Sequence, residues 1–270
     1  MFNSHLLHYE TCGDGKPLIL LHGFGANSYT WRHVVPMLPV GYKAYALDLK
    51  GFGKSAKPLD KFYSMDDQAN LVCDFIEENA LKQVTLIGHS MGGGIALMVA
   101  MKLIDKEEMP SSLVLIDSVS FPQPMPIFIT LLRTPILNRI AVAVLPAVTL
   151  VRWILNLSFY DDRKITGKMV RVYAAPIAEP GARHALLQTA QQIIPNDIPA
   201  LVGRYPSLKM PTLILWGRED VITPLRLGEQ LHQVIANSKF CVFDSCGHIP
   251  HEEVPERSIP VIVEFLDKNK

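Results

Sequence analysis

The chain has 270 residues, of which 49% are hydrophobic, and its 26 basic side chains balance its 26 acidic ones. This length allows one or two domains and a large buried core. Because the formal net charge is zero, no broad positive field is available to attract a phosphate backbone, and we expect no nucleic-acid partner.

The N-terminal segment, residues 1–13, lacks the basic start, apolar run and small-residue cleavage site of a secretory signal. We therefore expect a cytoplasmic protein. Residues 5–11 and 17–21 predict two strands that pair as a hairpin around a glycine-rich turn at residues 13–15.

Apolar runs rich in β-formers then alternate with helical patterns, which is typical of parallel βαβ units. Further strands are predicted at residues 43–47, 83–87, 112–116, 212–216 and 239–243. Helices are predicted at residues 29–38, 65–79, 91–104, 224–235 and 255–268. The alternation indicates an α/β fold with a mostly parallel sheet.

The alternation stops after Asp117 and resumes near residue 207. Residues 118–206 carry prolines and helical spacing but no convincing buried strand, which predicts a helical insertion between core segments 1–117 and 207–270. Charges and prolines interrupt the apolar stretch 127–159, so we expect amphipathic helices rather than a transmembrane segment. The interrupting residues are Arg133, Pro135, Arg139, Pro146 and Arg152.

The cysteines offer neither a metal site nor an evident disulfide framework. Cys12, Cys73, Cys241 and Cys246 show no C-x-x-C pair or zinc-like spacing, and a chain of this length does not need disulfides. We expect free thiols, with a bridge between Cys241 and Cys246 left open. No metal ion and no organic cofactor is expected.

The run V-T-L-I-G-H-S-M-G-G-G at residues 84–94 joins a predicted strand to a predicted helix. A serine on so tight a turn has a strained backbone, and the glycines at Gly88 and Gly92 leave room for it. The helix N-terminus also favours developing negative charge. The pattern predicts Ser90 as a nucleophile, the alternative being an ordinary helix cap.

The loop H-G-F-G at residues 22–25 follows another predicted strand. Acyl transfer needs two N–H donors aimed at the oxygen that becomes negative. We predict the backbone N–H groups of Phe24 and Met91 as these donors, with His22 and Gly23 supporting the loop. His22 itself is expected to be buried and bonded to backbone.

A serine nucleophile needs a base and a carboxylate that orients the base. His248, in the loop after the last strand, is predicted as the base, while its neighbour His251 is expected on a solvated surface beside two glutamates. Asp220 is predicted as the acid because the order serine, acid, histidine belongs to one fold. Asp117 is kept as an alternative acid, and Glu219 could replace Asp220.

Five motifs occur in order: H-G-F-G, D-L-K-G-F-G-K-S, G-H-S-M-G-G, W-G-R-E-D and G-H-I-P-H-E-E. With them the sequence resembles the α/β-hydrolase superfamily, in its branch of small capped esterases, C–C hydrolases, haloperoxidase-like enzymes and dehalogenases. The resemblance covers the chain except for the insertion. It implies an eight-stranded, mostly parallel sheet flanked by helices, with a helical cap after the strand that ends near Asp117.

Departures from the family's branches narrow the expected activity. Dehalogenases and epoxide hydrolases of this branch use an aspartate nucleophile, whereas position 90 holds serine. C–C hydrolases usually have asparagine before the nucleophile and a proline-containing glycine loop; here His89 and Gly25-Ala26 occupy those places. We therefore expect a carboxylesterase that forms an acyl-enzyme. C–C hydrolase, perhydrolase or acyltransferase activity, and a noncatalytic ligand-binding role, are the alternatives.

The insertion also bears on the substrate. Residues 121–159 are crowded with large apolar side chains. If the insertion covers Ser90, they predict a small-molecule hydrophobic ester as substrate, with a largely apolar acyl or alcohol group. The same side chains could instead pack the cap onto the core, pair with a second copy of the chain, or contact a membrane surface.

Overall fold

The structure, a computed structural model, describes residues 4–134 and 146–269. Its centre is a sheet that has seven strands within these residues, in the order β1-β3-β2-β4-β5-β6-β7. All neighbouring strands are parallel except β1, which runs antiparallel to β3. The strands are β1 (His8–Gly13), β2 (Gly15–Leu21), β3 (Gly41–Asp48), β4 (Thr85–His89), β5 (Ser112–Ile116), β6 (Thr212–Gly217) and β7 (Ser238–Phe243).

The expected count of eight strands is one too many for the described residues. The sequence itself contains seven β-rich runs, and each of them became a strand; the eighth was implied only by the family resemblance. The central strands β4, β5 and β6 are buried along their whole length, which explains their continuous apolar runs.

The predicted N-terminal hairpin is wrong. Strand β1 does not pair with β2, because β3 lies between them and pairs with both. Strand β1 is largely exposed and suits a sheet edge, whereas Leu18 to Leu21 of β2 are fully buried between two parallel neighbours. Burial of β2 on both sides outweighs the local turn signal.

Helices cover both faces of the sheet, and each predicted core helix except one has a close counterpart. Helix α1 begins with a capping box, in which Ser64 and Asp67 each accept the other's backbone N–H. The core helices are α1 (Met65–Glu78), α2 (Met91–Asp105), α8 (Leu225–Val234), α9 (Pro250–Glu253) and α10 (Pro255–Lys268).

The exception is the helix predicted at residues 29–38. The structure has two short 3₁₀ helices there, Ser28–Arg32 and Val35–Met37. Pro36 lacks an N–H group and cannot continue an α-helical ladder, which accounts for the break.

Between β5 and β6 the described residues form helices, as the sequence predicts. They are α3 (Ile127–Arg133), α4 (Ala147–Ser158), α5 (Gly167–Ala174), α6 (Ala182–Gln192) and α7 (Ile198–Arg204). Part of the apolar stretch, residues 135–145, lies outside the described residues. Helices α4 and α5 share a small core of their own, which also contacts Ile249 of the loop after β7.

The helices and cysteines of the described residues bear on two further expectations. None of its helices is both long enough and apolar enough to cross a bilayer. All four cysteines are free thiols, including Cys241 and Cys246, so the bridge left open between those two is absent.

Candidate functional site

Ser90 lies on the turn between β4 and α2 with a strained backbone, at φ 56° and ψ −120°. Such a positive φ is unfavourable for a residue with a side chain. The chain passes so close to itself here that a Cβ on Gly88 would lie 2.3 Å from the Gly92 carbonyl oxygen, and one on Gly92 would lie 2.2 Å from that of Leu21. The two glycines are therefore required by close approach, as the motif predicts.

The structure brings together the three side chains named from the sequence. The distance from His248 Nε2 to Ser90 Oγ is 2.8 Å, and that from His248 Nδ1 to Asp220 Oδ2 is 2.7 Å. All three residues are buried. With Nδ1–H donated to the carboxylate, Nε2 is left as the acceptor for the serine hydroxyl, which is the arrangement that lets imidazole remove its proton.

Asp220 is held as a carboxylate by a dense set of donors. Its Oδ1 accepts the backbone N–H groups of Ile222 and Thr223 at 2.7 and 3.0 Å, and its Oδ2 accepts the Thr223 hydroxyl. Burial alone would raise the pKa of Asp220, but the His248 ring and these hydrogen bonds more than offset it, so the pKa lies below its usual range.

Asp117, the alternative acid, lies behind Asp220 and is fully buried. Its Oδ1 accepts the Gly217 N–H at 3.0 Å, and its Oδ2 has no hydrogen-bond partner among the described residues. Burial, followed by the nearby charge of Asp220, raises the pKa of Asp117 well above its usual range. The carboxylate that bonds to His248 is that of Asp220.

The loop that carries His248 is fixed on both sides. The backbone N–H of His248 donates to the carbonyl oxygen of Ser158 at the end of α4, at 2.7 Å. Its carbonyl oxygen accepts Nε2–H of His89 at 2.8 Å. Glu253 accepts the adjacent Gly247 N–H at 2.7 Å. Burial and then the His248 ring lower the pKa of His89 to about 3, so His89 stays a neutral donor.

The H-G-F-G loop packs directly against the serine. A Cβ on Gly23 would lie 3.2 Å from Ser90 Cβ and 3.0 Å from His89 Nδ1. His22 is buried as expected: its Nδ1 bonds to the Gly23 carbonyl oxygen at 2.7 Å, and its Nε2 accepts the Leu49 N–H at 2.9 Å. Met91 is the first residue of α2, where N–H groups have no intrahelical partner.

The solvated surface role expected for His251 is wrong, because this residue is fully buried. Its ring stacks on Trp31 with a centroid distance of 4.7 Å, and its Nε2 lies 2.9 Å from Thr30 Oγ1. The neighbouring Glu252 is also buried and accepts hydrogen bonds from Arg32 at 2.6 Å and from Tyr173 of α5. These contacts join the insertion to the core.

Ser90 stands between two apolar cavities that share Phe24, Phe128 and Ile222. We call the one bordered by His248 the His-side cavity and the other the Met-side cavity; their volumes are about 80 and about 190 Å³. Among the described residues, neither cavity is lined by a lysine or arginine. Further His-side walls are Leu150, Ile154 and Leu155, and Met-side walls are Met65, Met91, Met125, Ile129, Leu201 and Tyr205.

One group of described residues has the spacing that a metal site would require. It consists of Asp117, Asp220 and His248, whose ligand atoms all lie within 4.8 Å of one another. Asp220 already accepts several hydrogen bonds, so its oxygens are not open for a metal ion. That no metal is needed stays a prediction.

Sequence reasoning missed four residues that hold this site. Thr223 donates to Asp220, His89 and Ser158 bond to the His248 backbone, and Glu253 fixes Gly247. His89 lies in G-H-S-M-G-G and Glu253 in G-H-I-P-H-E-E. The sequence therefore shows the motifs of these two residues but not their hydrogen-bond partners.

Comparisons with known proteins agree with this architecture. A family model described as "Alpha/beta hydrolase family" matches residues 18–260. An "Uncharacterized hydrolase YugF" of Bacillus subtilis (strain 168) is 30% identical over 267 residues, which is 98% of this chain and 94% of that protein.

Two more relatives are informative. The 2-hydroxy-6-oxo-6-(2'-aminophenyl)hexa-2,4-dienoic acid hydrolase of Metapseudomonas resinovorans is 30% identical over 268 residues, covering 96% of this chain and 87% of that one. The crystal structure of an α/β-hydrolase fold protein from Burkholderia ambifaria superposes with a TM-score of 0.84 at 26% identity, covering 96% and 93% of the two chains. The chain belongs to the α/β-hydrolase family.

Proposed function

We propose that the protein is a serine esterase that hydrolyses an uncharged, hydrophobic carboxylic ester through an acyl-enzyme. The observation that carries this proposal is the hydrogen-bonded chain from Ser90 through His248 to Asp220, which opens onto two apolar cavities. The nucleophile, its base and the acid that orients the base are thus in reach of one bound ester.

In the proposed reaction His248 Nε2 takes the Ser90 proton while Oγ bonds to the ester carbon. The N–H groups of Phe24 and Met91 bind the resulting oxyanion, each contributing roughly 2.7–4 kcal/mol. The carbon–oxygen bond to the alcohol then breaks, and the imidazolium gives its proton to the alcohol. Water, deprotonated by the same ring, releases the acid and regenerates Ser90.

The cavity walls support an uncharged substrate and suggest its orientation. A carboxylate on the substrate would lose hydration in these cavities without gaining a cation among the described residues. The leaving alcohol must lie close to His248, and His248 lines the His-side cavity but not the Met-side cavity. The alcohol group therefore occupies the His-side cavity and the acyl group the larger Met-side cavity.

A second candidate is C–C bond hydrolysis, favoured by the relative from Metapseudomonas resinovorans, whose name specifies a dienoic acid substrate. Such an acid is ionised at neutral pH. Among the residues that the structure describes, the cavity walls offer its carboxylate no lysine or arginine, and we therefore rank this activity below ester hydrolysis.

Fluorophosphonate labelling and a panel of p-nitrophenyl esters test the proposal, with Ser90→Ala as control. We expect labelling of the wild type, none of the variant, and ester hydrolysis that depends on Ser90. Faster turnover of a dienone acid than of every ester would favour the second candidate. Absence of both labelling and turnover in the folded protein would favour the noncatalytic class.

The same assays address the remaining alternatives. Perhydrolase activity would appear as peracid formation when hydrogen peroxide takes the acyl group of an ester and the alcohol leaves. Acyltransferase activity would appear as preferential transfer of the acyl group to an added alcohol rather than to water. That the helices of residues 118–206 form a cap, and that the cap pairs with a second copy, are further proposals; the oligomeric state in solution tests the latter.

A further inference from the structure

The carboxyl groups of Asp117 and Asp220 are both buried next to His248, and within the described part of the chain only that of Asp220 has hydrogen-bond partners on both oxygens. Ligand atoms of Asp117, Asp220 and His248 all lie within 4.8 Å of one another. Asp220 receives two backbone N–H groups, a hydroxyl and the imidazole. Asp117 receives one backbone N–H on Oδ1, and its buried Oδ2 has no partner among the described residues.

Two negative charges this close at buried positions repel each other strongly, so one carboxyl group must hold a proton. The proton belongs where fewer donors stabilise the anion, which is Asp117. On Asp117 Oδ2 it also removes the unpaired buried acceptor, because a protonated carboxyl oxygen becomes a donor.

We propose that Asp117 is a neutral carboxylic acid that donates a hydrogen bond to Asp220, making it a positioning residue for the Asp220–His248 pair. The bond would hold the Asp220 carboxylate in the plane that faces His248 Nδ1.

The other ionisable groups around Asp117 favour the same proton. Glu253 of α9 adds negative potential, and burial raises the pKa of the neighbouring Cys246 thiol, which stays neutral. The imidazole of His248 is the base itself and bonds to Asp220. The effect on catalysis rests on the proposed esterase function, whereas the location of the proton does not.

The first test is the pH dependence of unfolding in the wild type and in Asp117→Asn. Asparagine keeps an acceptor for Gly217 N–H and a donor for Asp220, but it cannot bind the proton. Between about pH 5 and pH 7 the unfolded aspartate is ionised and the folded one is protonated. With each unit of rising pH, the ratio of the wild-type unfolding constant to that of the variant should therefore increase about tenfold. Equal slopes overturn the proposal.

The second test uses activity and adds Asp117→Ala, which has no donor. If the proposal holds, the acid limb of kcat/KM lies at the same pH in the wild type and in Asp117→Asn, because no charge is lost. The kcat of Asp117→Ala should be about tenfold below that of Asp117→Asn. A shift of the acid limb to lower pH in Asp117→Asn means that an anion was removed beside His248, and it overturns the proposal.

A third observation needs neither folding equilibrium nor substrate. The infrared spectrum of the wild type at neutral pH should contain a carboxylic-acid C=O stretching band that is absent from Asp117→Asn. Identical spectra in this region would contradict a protonated Asp117. Failure of the esterase proposal would leave the infrared and unfolding results unaffected, so the two ideas fail separately.

Discussion

His89 Nε2 donates to the backbone carbonyl oxygen of His248 at 2.8 Å, so the residue before Ser90 holds the loop that carries the proposed base. We predict that His89→Leu lowers kcat about tenfold or more, because this bond is lost. His89→Gln, whose amide nitrogen can replace Nε2–H, should retain most of the activity. Steady-state kinetics on one p-nitrophenyl ester and thermal unfolding of both variants measure the difference; equal kcat values for the two variants would argue against this role.

Removing the proposed nucleophile or the proposed base should abolish most catalysis without unfolding the protein. For Ser90→Ala and His248→Ala we expect kcat to fall by about 10⁴-fold or more, because each removes a group that acts directly on the ester. Circular dichroism and thermal unfolding serve as folding controls. The double variant should be no worse than either single one, and additive losses would indicate independent roles.

The Asp220 carboxylate should matter more than any single donor that supports it. Asp220→Asn should lower kcat by about 10⁴-fold, since an amide permits the wrong His248 tautomer. Thr223→Val removes one hydroxyl donor and should cost about tenfold, whereas Thr223→Ser keeps the hydroxyl and should stay close to the wild type. Near-wild-type activity in Asp220→Asn would transfer the acid role to another carboxylate.

How much of this site was readable from the sequence depended on the range of each signal. The elbow at Ser90 and the order of Ser90, Asp220 and His248 rest on short motifs, and these residues do meet. The burial of His251 depends on Trp31, which is far away in the chain, so its two glutamate neighbours suggested a surface instead.

The fold shows the same limit. Strand positions follow from local apolar runs and agree with the structure to within a few residues. The prediction that β1 pairs with β2 was wrong because it relied on a local signal, the turn at residues 13–15. The position of β3 between these two strands depends instead on burial across the whole sheet. Thr223 carries no periodic or motif signal at all, and only coordinates reveal its bond to Asp220.

Buried neutral histidines should make the protein sensitive to acid. Burial lowers the pKa values of His22, His89 and His251. Below about pH 6.5 the unfolded chain binds protons at these positions and the folded chain does not, so the contribution of these three histidines to stability is full above that pH and declines as the pH falls. For His89 the loss continues down to about pH 3.

Chemical denaturation between pH 7 and pH 4 measures this decline. In His89→Gln the slope of unfolding free energy against pH should decrease by one proton, about 1.4 kcal/mol per pH unit, over the lower part of that range, below about pH 5.5. An unchanged slope would mean that His89 is protonated in the folded protein. The exposed His5 is a suitable control, because replacing it by glutamine alters no buried ring.

The two cavities should select the two halves of the ester separately. Leu201→Trp narrows the Met-side cavity and Ile154→Trp narrows the His-side cavity; both side chains are only partly buried, which limits the cost of overpacking. If the acyl group occupies the Met-side cavity, Leu201→Trp should lower the kcat/KM ratio of ethyl octanoate to ethyl acetate about tenfold. Ile154→Trp should instead lower the ratio of octyl acetate to ethyl acetate, because the alcohol lies beside His248. The opposite pattern would reverse the orientation of the substrate, and it would do so without affecting the assignment of Ser90, since all three esters require the same attack on a carbonyl carbon.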